Sequence, residues 1–299
     1  MARQPFASCR FARHKARNML NSLCRLAAIV LLIAPLCGLA AEPVRPSELI
    51  RLFDGKTLGD CYTFLKDTKF EDPRRVFRVT DGLLHFTGEG LGSLITNKEY
   101  RDYHLVLEFK WGDKVYAPRT DRAKDSGLLI HSRGADGGYD GTWMPSIEVQ
   151  IIEGGMGDYI LVTGADKDGG QVPISLTCET DRDRDKEVIW KAGGKRETFD
   201  LKNRKRINWY GRDPDWADKL GFRGKDDLDH AQTEWTRFDV ICDGGHVQNY
   251  VNGTPVNEAF DVTPNAGRIQ LQTELAEIYF RRWELYPVGQ GPKPERASQ

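Results

Sequence analysis

Three well-separated stretches of the chain place polar side chains at alternate positions of otherwise apolar segments. They are residues 127–133 (GLLIHSR), 147–153 (IEVQIIE) and 269–274 (IQLQTE). Successive side chains of a β-strand point to opposite faces of the sheet. Each stretch is therefore predicted to be a strand with one apolar and one polar face. Such strands suit a sheet that packs on a core with one face and presents polar groups on the other.

The polar faces of these strands would together carry carboxylates, amides, an imidazole and a guanidinium. The members are His131 and Arg133 on the first strand, Glu148 and Gln150 on the second, and Gln270, Gln272 and Glu274 on the third. If the strands share a sheet, this set lines one concave face that can pair with many hydroxyl groups. A sugar is therefore the expected ligand class. Taken singly, each residue is equally compatible with a satisfied polar surface.

Further short runs rich in β-branched and aromatic residues, such as 104–110 and 247–251, alternate with turn signals. Asp81-Gly82 and Asn252-Gly253 are typical of tight hairpins. No helical pattern of useful length occurs after residue 41. Many short strands at this spacing are typical of a β-sandwich or jelly roll, so the sequence predicts an all-β fold.

Composition divides the chain into parts. Residues 1–41 combine a basic stretch, an apolar run at 26–37 and small residues at the end, the pattern of a secretory signal peptide. Residues 42–288 are predicted to form a single jelly-roll domain. Within it, residues 177–230 are dense in Asp, Lys and Arg and are interpreted as an insertion over one face. Residues 289–299 form a polar tail that is predicted to be disordered.

The signal peptide predicts export to the periplasm or the cell exterior. Its apolar run is shorter than the roughly 20 residues of a membrane span, so no membrane insertion is expected after cleavage. Lipidation at Cys37 would make a lipoprotein, but residues 34–36 match a lipobox poorly and soluble export is favoured. Six of the 43 basic residues and none of the 44 acidic residues lie in 1–40, so the remainder carries a net charge of −7. Nucleic acid and anionic membranes are therefore not expected partners.

Three cysteines follow the signal peptide, namely Cys61, Cys178 and Cys242. An odd number allows at most one intramolecular disulfide, and the sequence leaves both a single pair and three free thiols open. No His and Cys residues have zinc-site spacing, and the Asp-rich run 181–185 lacks the residues that complete a calcium loop. The sequence therefore predicts no cofactor, although a divalent metal is compatible with it.

Two further features bear on the cleft. The Gly-rich segment 153–158 follows the second polar strand directly, and it is either a plain turn or a loop whose Glu153 and Asp158 reach the cleft mouth. Trp143 and Trp209 can each stack on a sugar ring, although a buried tryptophan is the commoner arrangement. Of the two, Trp209 is the stronger candidate for the cleft.

Several short motifs occur in a fixed order over residues 50–287. They are LFDGKTL (52–58), VTDGL (79–83), DSGL (125–128), IEVQ (147–150), EW (234–235), VNG (251–253), IQLQ (269–272) and FR (280–281). In this order they resemble the 3-keto-disaccharide hydrolase family, also described as 3-keto-glucoside-1,2-lyase and 3-keto-2-hydroxy-glucal hydratase. The resemblance implies a concanavalin A-like jelly-roll sandwich. It adds Asp125, Ser126 and Arg281 to the expected substrate-binding residues.

The resemblance also implies a reaction, the cleavage of 3-keto-glycosides by elimination across C1–C2 followed by hydration. A ketone at C3 acidifies the C2 proton, a carboxylate removes it, and a positive or hydrogen-bonding group stabilises the enolate. The expected roles fall to six residues of the polar strands. Glu148 is the base with Glu274 second, Arg133 steadies the enolate, His131 donates a proton, and Gln150 and Gln272 hold ring hydroxyls.

A non-catalytic carbohydrate-binding module is the alternative, because jelly rolls are often lectins and a fold does not settle function. A lectin site needs aromatic and amide side chains but no carboxylate beside a His–Arg pair. The residue set therefore favours an enzyme, and incubation with a 3-keto-disaccharide and an ordinary disaccharide distinguishes the two hypotheses.

Overall fold

The computed structural model describes residues 41–229 and 234–299, which form seventeen β-strands and no helix. The predicted signal peptide, apart from Ala41, lies outside these residues. No helix in the described ranges is long and apolar enough to cross a membrane. The strands are β1 (Ile50–Arg51), β2 (Cys61–Leu65), β3 (Phe77–Thr80), β4 (Leu83–Phe86), β5 (Leu91–Thr96), β6 (Tyr103–Val115), β7 (Asp125–Ser132), β8 (Ser146–Ile152), β9 (Tyr159–Val162), β10 (Ser175–Arg182), β11 (Val188–Trp190), β12 (Lys195–Asp200), β13 (Thr236–Asp243), β14 (His246–Val251), β15 (Thr254–Thr263), β16 (Arg268–Glu274) and β17 (Ala276–Pro287).

The strands form two antiparallel sheets that pack as a sandwich. The long sheet has eleven strands in the order β11-β10-β15-β14-β13-β6-β17-β4-β3, with β1 paired to β17 and β12 paired to β10. The short sheet has six strands in the order β2-β5-β16-β7-β8-β9. The three polar stretches of the sequence become β7, β8 and β16, which are adjacent at the centre of the short sheet. The predicted all-β jelly-roll sandwich is confirmed.

The core lies between the sheets and is built from the apolar alternate positions. Leu128, Val149 and Leu271 on the short sheet and Leu107 and Phe238 on the long sheet are all fully buried. Burying one such side chain contributes about 1.5–3 kcal/mol. This burial fixes the register of the short sheet and directs the intervening polar residues to its outer face.

A smaller apolar cluster covers part of that outer face. It consists of Phe64, Ile95 and Met144, with Tyr62 packed against it. Met144 belongs to the segment 133–145, which connects β7 to β8 and folds back over the sheet. The segment therefore forms a wall beside the exposed centre of β7, β8 and β16.

The pairing of β7 with β16 slips by one residue near the end of β7. Gln270 pairs with Leu129, but Arg268 pairs with Ser132, so the two residues Ile130 and His131 oppose Ile269. His131 has a φ of 53°. A bulge of this kind changes the side on which the following residues point, and strict alternation therefore fails at His131.

The charged segment 177–230 begins within β10 and contributes β11 and β12 to the long sheet. Its other described residues form loops. One of these loops carries Arg206, whose side chain lies against the outer face of the short sheet.

The tail 289–299 packs on the outer face of the long sheet, in contrast to the disordered tail that was predicted. Glu295 accepts a hydrogen bond of 3.0 Å from Arg237, the Ser298 carbonyl accepts one from Arg281, and Ala297 is buried. The polar composition of the tail is typical of disordered segments. Here, however, its polar groups form hydrogen bonds with Arg237 and Arg281 of the long sheet.

The cysteines of the described chain are all free thiols, so the structure contains no disulfide among Cys61, Cys178 and Cys242. Cys178 and Cys242 are buried and Cys61 is partly buried. Burial raises the pKa of Cys61 to about 12 and of Cys242 to about 12. These thiols are accordingly unreactive near neutral pH.

Candidate active site

A cleft of about 240 Å³ lies on the outer face of the short sheet, at its centre. Strands β7, β8, β9 and β16 form its floor, while the 133–145 segment and the loop carrying Arg206 form its walls. Its lining residues are Asp125, Tyr139, Trp143, Glu148, Gln150, Ile160, Leu161, Val162, Arg206, Gln272 and Glu274. The structure thus brings together Glu148, Gln150, Gln272, Glu274 and Asp125 of the residues predicted from the sequence.

Gly127 forms the middle of the cleft floor. It pairs with Gln150 of β8, and the side chains of Glu148 and Gln272 lean over it from the two neighbouring strands. A Cβ atom at this position would lie 2.3 Å from Gln272 Oε1 and 2.5 Å from Glu148 Oε1. These distances are far below van der Waals contact, so only glycine lets the two side chains converge here.

Glu148 is buried and forms no hydrogen bond or ion pair with any residue in the described ranges. Burial raises the pKa of Glu148 to about 8, with a further contribution from the negative charge of Asp125 and an opposing one from Arg206. A carboxyl group with a pKa near the working pH exchanges protons readily and is a strong base once ionised. Glu148 therefore has the properties of a general base.

Two more carboxyl groups flank Glu148 and share one guanidinium. Arg119 lies 2.8 Å from Asp125 and 3.4 Å from Glu274, and Asp125 also accepts a hydrogen bond of 2.9 Å from Gln150. Burial raises the pKa of both Asp125 and Glu274, and the neighbouring carboxylates raise that of Glu274 well above its usual value. Three carboxylates so close together cannot all be ionised, and the pairing favours an ionised Asp125 and a protonated Glu274.

Several polar atoms at the cleft are buried without a partner among the described residues. They are Arg206 Nη2, Gln150 Oε1 and Gln272 Oε1. Leaving such an atom unpaired costs about 1–3 kcal/mol. Hydroxyl or carbonyl groups of a ligand would complete these hydrogen bonds, which fits a polyol-binding cleft.

Aromatic rings form one wall. Tyr139 and Trp143 stack with ring centroids 6.2 Å apart and an interplanar angle of 25°, and the Trp143 indole donates a hydrogen bond to the Gly92 carbonyl. Trp209, the stronger candidate from the sequence, is instead buried in the core, and its backbone N–H donates to Asp158. The preference between the two tryptophans was therefore wrong.

His131 and Arg133 do not reach the cleft, contrary to the shared face that alternation predicted. The bulge turns the His131 ring toward Tyr103 of the long sheet, and its Nδ1 lies 3.0 Å from the Pro264 carbonyl. Burial lowers the pKa of His131 to about 4. Arg133 is half exposed, donates to the Ala266 carbonyl and lies 3.4 Å from Glu99 beside a separate cavity.

Four further predicted residues support the structure from outside the cleft. Ser126 donates to the Gln272 carbonyl and so ties β7 to β16. Glu153 accepts backbone hydrogen bonds from Lys124 and Gly221. Asp158 is buried and lies 2.7 Å from Arg206, which it holds in place. Arg281 lies on the long sheet, paired with Glu108.

The site also includes two arginines that the sequence did not indicate: Arg206 lines the cleft, and Arg119 pairs with the carboxylates of Asp125 and Glu274. Arg119 and Arg206 come from loops, where no periodicity marks the direction of a side chain. For Arg206 the available signal was the density of arginines in the charged segment 177–230, and Arg119 had no such signal. In the described part of the chain, no group of three or more His, Cys, Asp or Glu side chains has an arrangement that could hold a metal ion.

Comparison with solved structures finds several chains of low similarity. A predicted glycosyl hydrolase of Parabacteroides distasonis ATCC 8503 has 18% sequence identity and a TM-score of 0.45, with 81% of this chain and 100% of that chain covered. The β-glucanase of Bacillus licheniformis has 10% identity and a TM-score of 0.35 over 82% and 94% of the chains. The carbohydrate-binding module CBM66 of Bacillus subtilis has 8% identity and a TM-score of 0.36 over 67% and 85%. All three TM-scores are below 0.5, so the similarity to each of these structures is low.

A search of curated proteins finds no match. A family model does match, and it spans residues 48–285, nearly the whole domain that follows the predicted signal peptide. The span contains every strand that forms the cleft. This chain therefore belongs to the 3-keto-α-glucoside-1,2-lyase-like domain family.

Proposed function

We propose that this protein cleaves 3-keto-glycosides at the cleft around Glu148, by elimination across C1–C2 and hydration of the resulting 2-hydroxy-glucal. Membership of the family supports a carbohydrate-processing function. One observation carries the finer assignment: Glu148 is buried over Gly127, has no partner among the described residues, and has a pKa of about 8. A carboxylate in this state suits the removal of a proton from carbon.

In the first step, ionised Glu148 takes the C2 proton, and the C–H electron pair moves into an enolate on the C3 oxygen. The unpartnered Arg206 Nη2 supplies a positive hydrogen-bond donor for that oxygen. Arg206 thus takes the role that the sequence assigned to Arg133. Gln150 and Gln272 pair with ring hydroxyls through their free carbonyl oxygens.

In the second step, the enolate collapses to restore the ketone and form the C1–C2 double bond, which breaks the bond from C1 to the leaving oxygen. Protonated Glu274 donates its proton to that oxygen, the role that the sequence gave to His131. Ionised Glu274 then takes a proton from a water whose hydroxyl adds to C1, while Glu148, whose proton exchanges with solvent, returns a proton to C2. Both carboxyl groups thereby regain their starting states. The net result is hydrolysis with one water consumed.

The test is incubation of residues 42–299 with a 3-keto-disaccharide and with its unoxidised parent in D2O. We expect the keto substrate alone to be cleaved, and its 3-keto product to carry deuterium at C2 above the level in an enzyme-free control. Cleavage of both sugars without deuterium at C2 would indicate direct glycoside hydrolysis. Binding of both sugars without any product would indicate a lectin.

A further inference from the structure

A second and larger cavity, of about 610 Å³, adjoins the cleft and shares Arg206 with it. It lies within the charged segment, and most of its lining side chains are polar. Its cationic lining residues are Arg182, Lys186, Lys205, Arg206 and Arg212, whereas Glu187 and Glu197 are its acidic ones. A volume of this size is within the range of small-molecule sites, about 300–1,000 Å³.

The carboxylates near this cavity are already engaged. Glu197 lies 2.8 Å from Arg182, and Glu187 accepts a hydrogen bond of 2.8 Å from Asn208. Behind the wall, Asp158 is shared by Arg206 at 2.7 Å and Arg212 at 3.2 Å. The cavity lining itself holds five cationic and two acidic side chains, so it keeps an excess of positive charge.

Two exposed lysines add to this excess. Lys186 and Lys205 line the cavity and form no ion pair with any residue in the ranges 41–229 and 234–299. Their ammonium groups are therefore available to a ligand, and as exposed groups they can be replaced with little effect on the fold.

Arg212 Nε is a guanidinium nitrogen at the cavity that is buried and unpaired within the described chain, whereas the unpaired Arg206 Nη2 is already assigned to the keto oxygen in the cleft. The Arg212 side chain is only 9% exposed. Its guanidinium stacks on Trp216 at 4.4 Å from the ring centroid, which fixes its orientation. A buried cationic donor with no acceptor is costly, and an anionic ligand group would supply that acceptor with a strong charge-assisted hydrogen bond.

We propose that this cavity binds an anionic oxygen-acid group on the leaving-group side of the glycoside. The inference rests on the proposed function, because the reacting sugar is placed beside Glu148. Arg206 borders both spaces, so a disaccharide with its keto sugar in the cleft would extend its second unit past Arg206 toward Arg212. The substrate class is then a 3-keto-glycoside whose leaving group bears a carboxylate or a phosphate.

The test is calorimetric titration with three unoxidised probes that cannot react: cellobiose, cellobionic acid and cellobiose phosphorylated on its reducing glucose. We expect at least one acidic probe to bind more tightly than cellobiose, with the preference weakened by about 0.5 M NaCl because ions screen exposed charges. The better of the two acidic probes identifies a carboxylate or a phosphate as the group. Equal affinity for all three probes would overturn the proposal.

The double variant Lys186→Gln/Lys205→Gln tests the site itself. We expect it to weaken the acidic probe by roughly 3- to 10-fold, the sum of two exposed ion pairs, and to leave cellobiose unchanged. The matched control Lys56→Gln/Lys202→Gln removes the same charge from two exposed positions outside the cavity and should bind like the unchanged protein. An equal loss in both double variants would overturn the site and indicate a general charge effect.

These measurements involve no turnover, so they separate this proposal from the proposed function. A preference for the acidic probe in a protein that fails to cleave 3-keto-glycosides would overturn only the lyase mechanism. Cleavage of a neutral 3-keto-disaccharide, combined with no acidic preference, would overturn only the anionic subsite.

Discussion

Two glutamates, one on the outer face of each sheet, are similarly buried but differ in their hydrogen-bond partners. Glu277 on the long sheet is 5% exposed and accepts hydrogen bonds from His85 Nε2 at 2.9 Å, the Asp113 N–H at 3.0 Å and the Tyr279 hydroxyl at 3.1 Å. Glu148 on the short sheet is 7% exposed and has no such partner within the described residues.

The pKa values of the two carboxyl groups follow from that difference. Burial acts to raise the pKa of Glu277, but the hydrogen bonds from His85 and the Lys114 N–H lower it overall. Burial raises the pKa of Glu148 to about 8 because nothing comparable opposes it. A buried carboxylate with a full set of hydrogen-bond donors stabilises the fold. A buried carboxylate without donors is a candidate for binding a ligand or for transferring a proton.

The sharpest test of this contrast is to make the same substitution at both glutamates. We expect Glu148→Gln to lower the turnover of a 3-keto-glycoside by about 10²–10⁴-fold, because it removes the basic oxygen while keeping the shape. Glu277→Gln should retain turnover within about twofold at a temperature where it is folded. Equal losses in the two variants would show that the loss reflects packing and not base catalysis.

Adding one methyl group to the cleft floor is expected to have the next largest effect. In Gly127→Ala the new Cβ would push apart Glu148 and Gln272, and a displacement of about 1 Å costs on the order of 10²-fold in kcat/KM. Gly170→Ala is the matched control, because nothing lies within 4 Å of its Cβ position. Unchanged kinetics in Gly127→Ala, with circular dichroism showing a normal fold, would contradict the convergence of the two side chains.

The two glutamates should have opposite effects on stability. A folded pKa of about 8 for Glu148, against 4.5 for the free side chain, means that its stabilising protonated state is lost as the pH rises through about 8. We therefore expect Glu148→Gln to unfold at the same temperature as the unchanged protein near pH 4.5, and to be more stable by about 2–4 kcal/mol near pH 9.

Glu277 has a lowered pKa, so its contribution is present above the unfolded pKa and is lost as the pH falls through the folded value. We expect Glu277→Gln to lose about 1–3 kcal/mol at neutral pH, because buried donors are left with a weaker acceptor. Thermal unfolding of both variants across the pH range measures the two trends. If the unfolding temperatures of the two variants changed with pH in the same way, the proposed difference between Glu148 and Glu277 would be wrong.

The smallest effect is expected at Arg133, which lies outside the cleft. Arg133→Ala removes a half-exposed side chain whose ion pair with Glu99 has a distance of 3.4 Å, and exposed pairs contribute about 0–1 kcal/mol. Turnover of a 3-keto-glycoside should stay within about twofold. A loss comparable to that of Glu148→Gln would restore Arg133 to the catalytic residues.

The strand pattern predicted the fold and the centre of the site because both depend on alternation. Burial of Val149 and Leu271 fixes the faces of β8 and β16, and Glu148 and Gln272 follow from it. The same rule failed at His131, since one extra residue in β7 reverses the pattern and no glycine marks the bulge in the sequence. Arg206 was missed because its position depends on Asp158 and a loop, which are tertiary contacts. Export remains a prediction from residues 1–41.

The packed tail has a practical consequence for the use of this protein on a solid support. Because Glu295 and Ser298 hold the last residues against the long sheet, the chain leaves the domain on the side away from the cleft. A linker fused after Gln299 would tether the protein with its cleft directed toward solution. The immobilised protein should therefore keep its cleft open to solution without any engineered spacer on the cleft side.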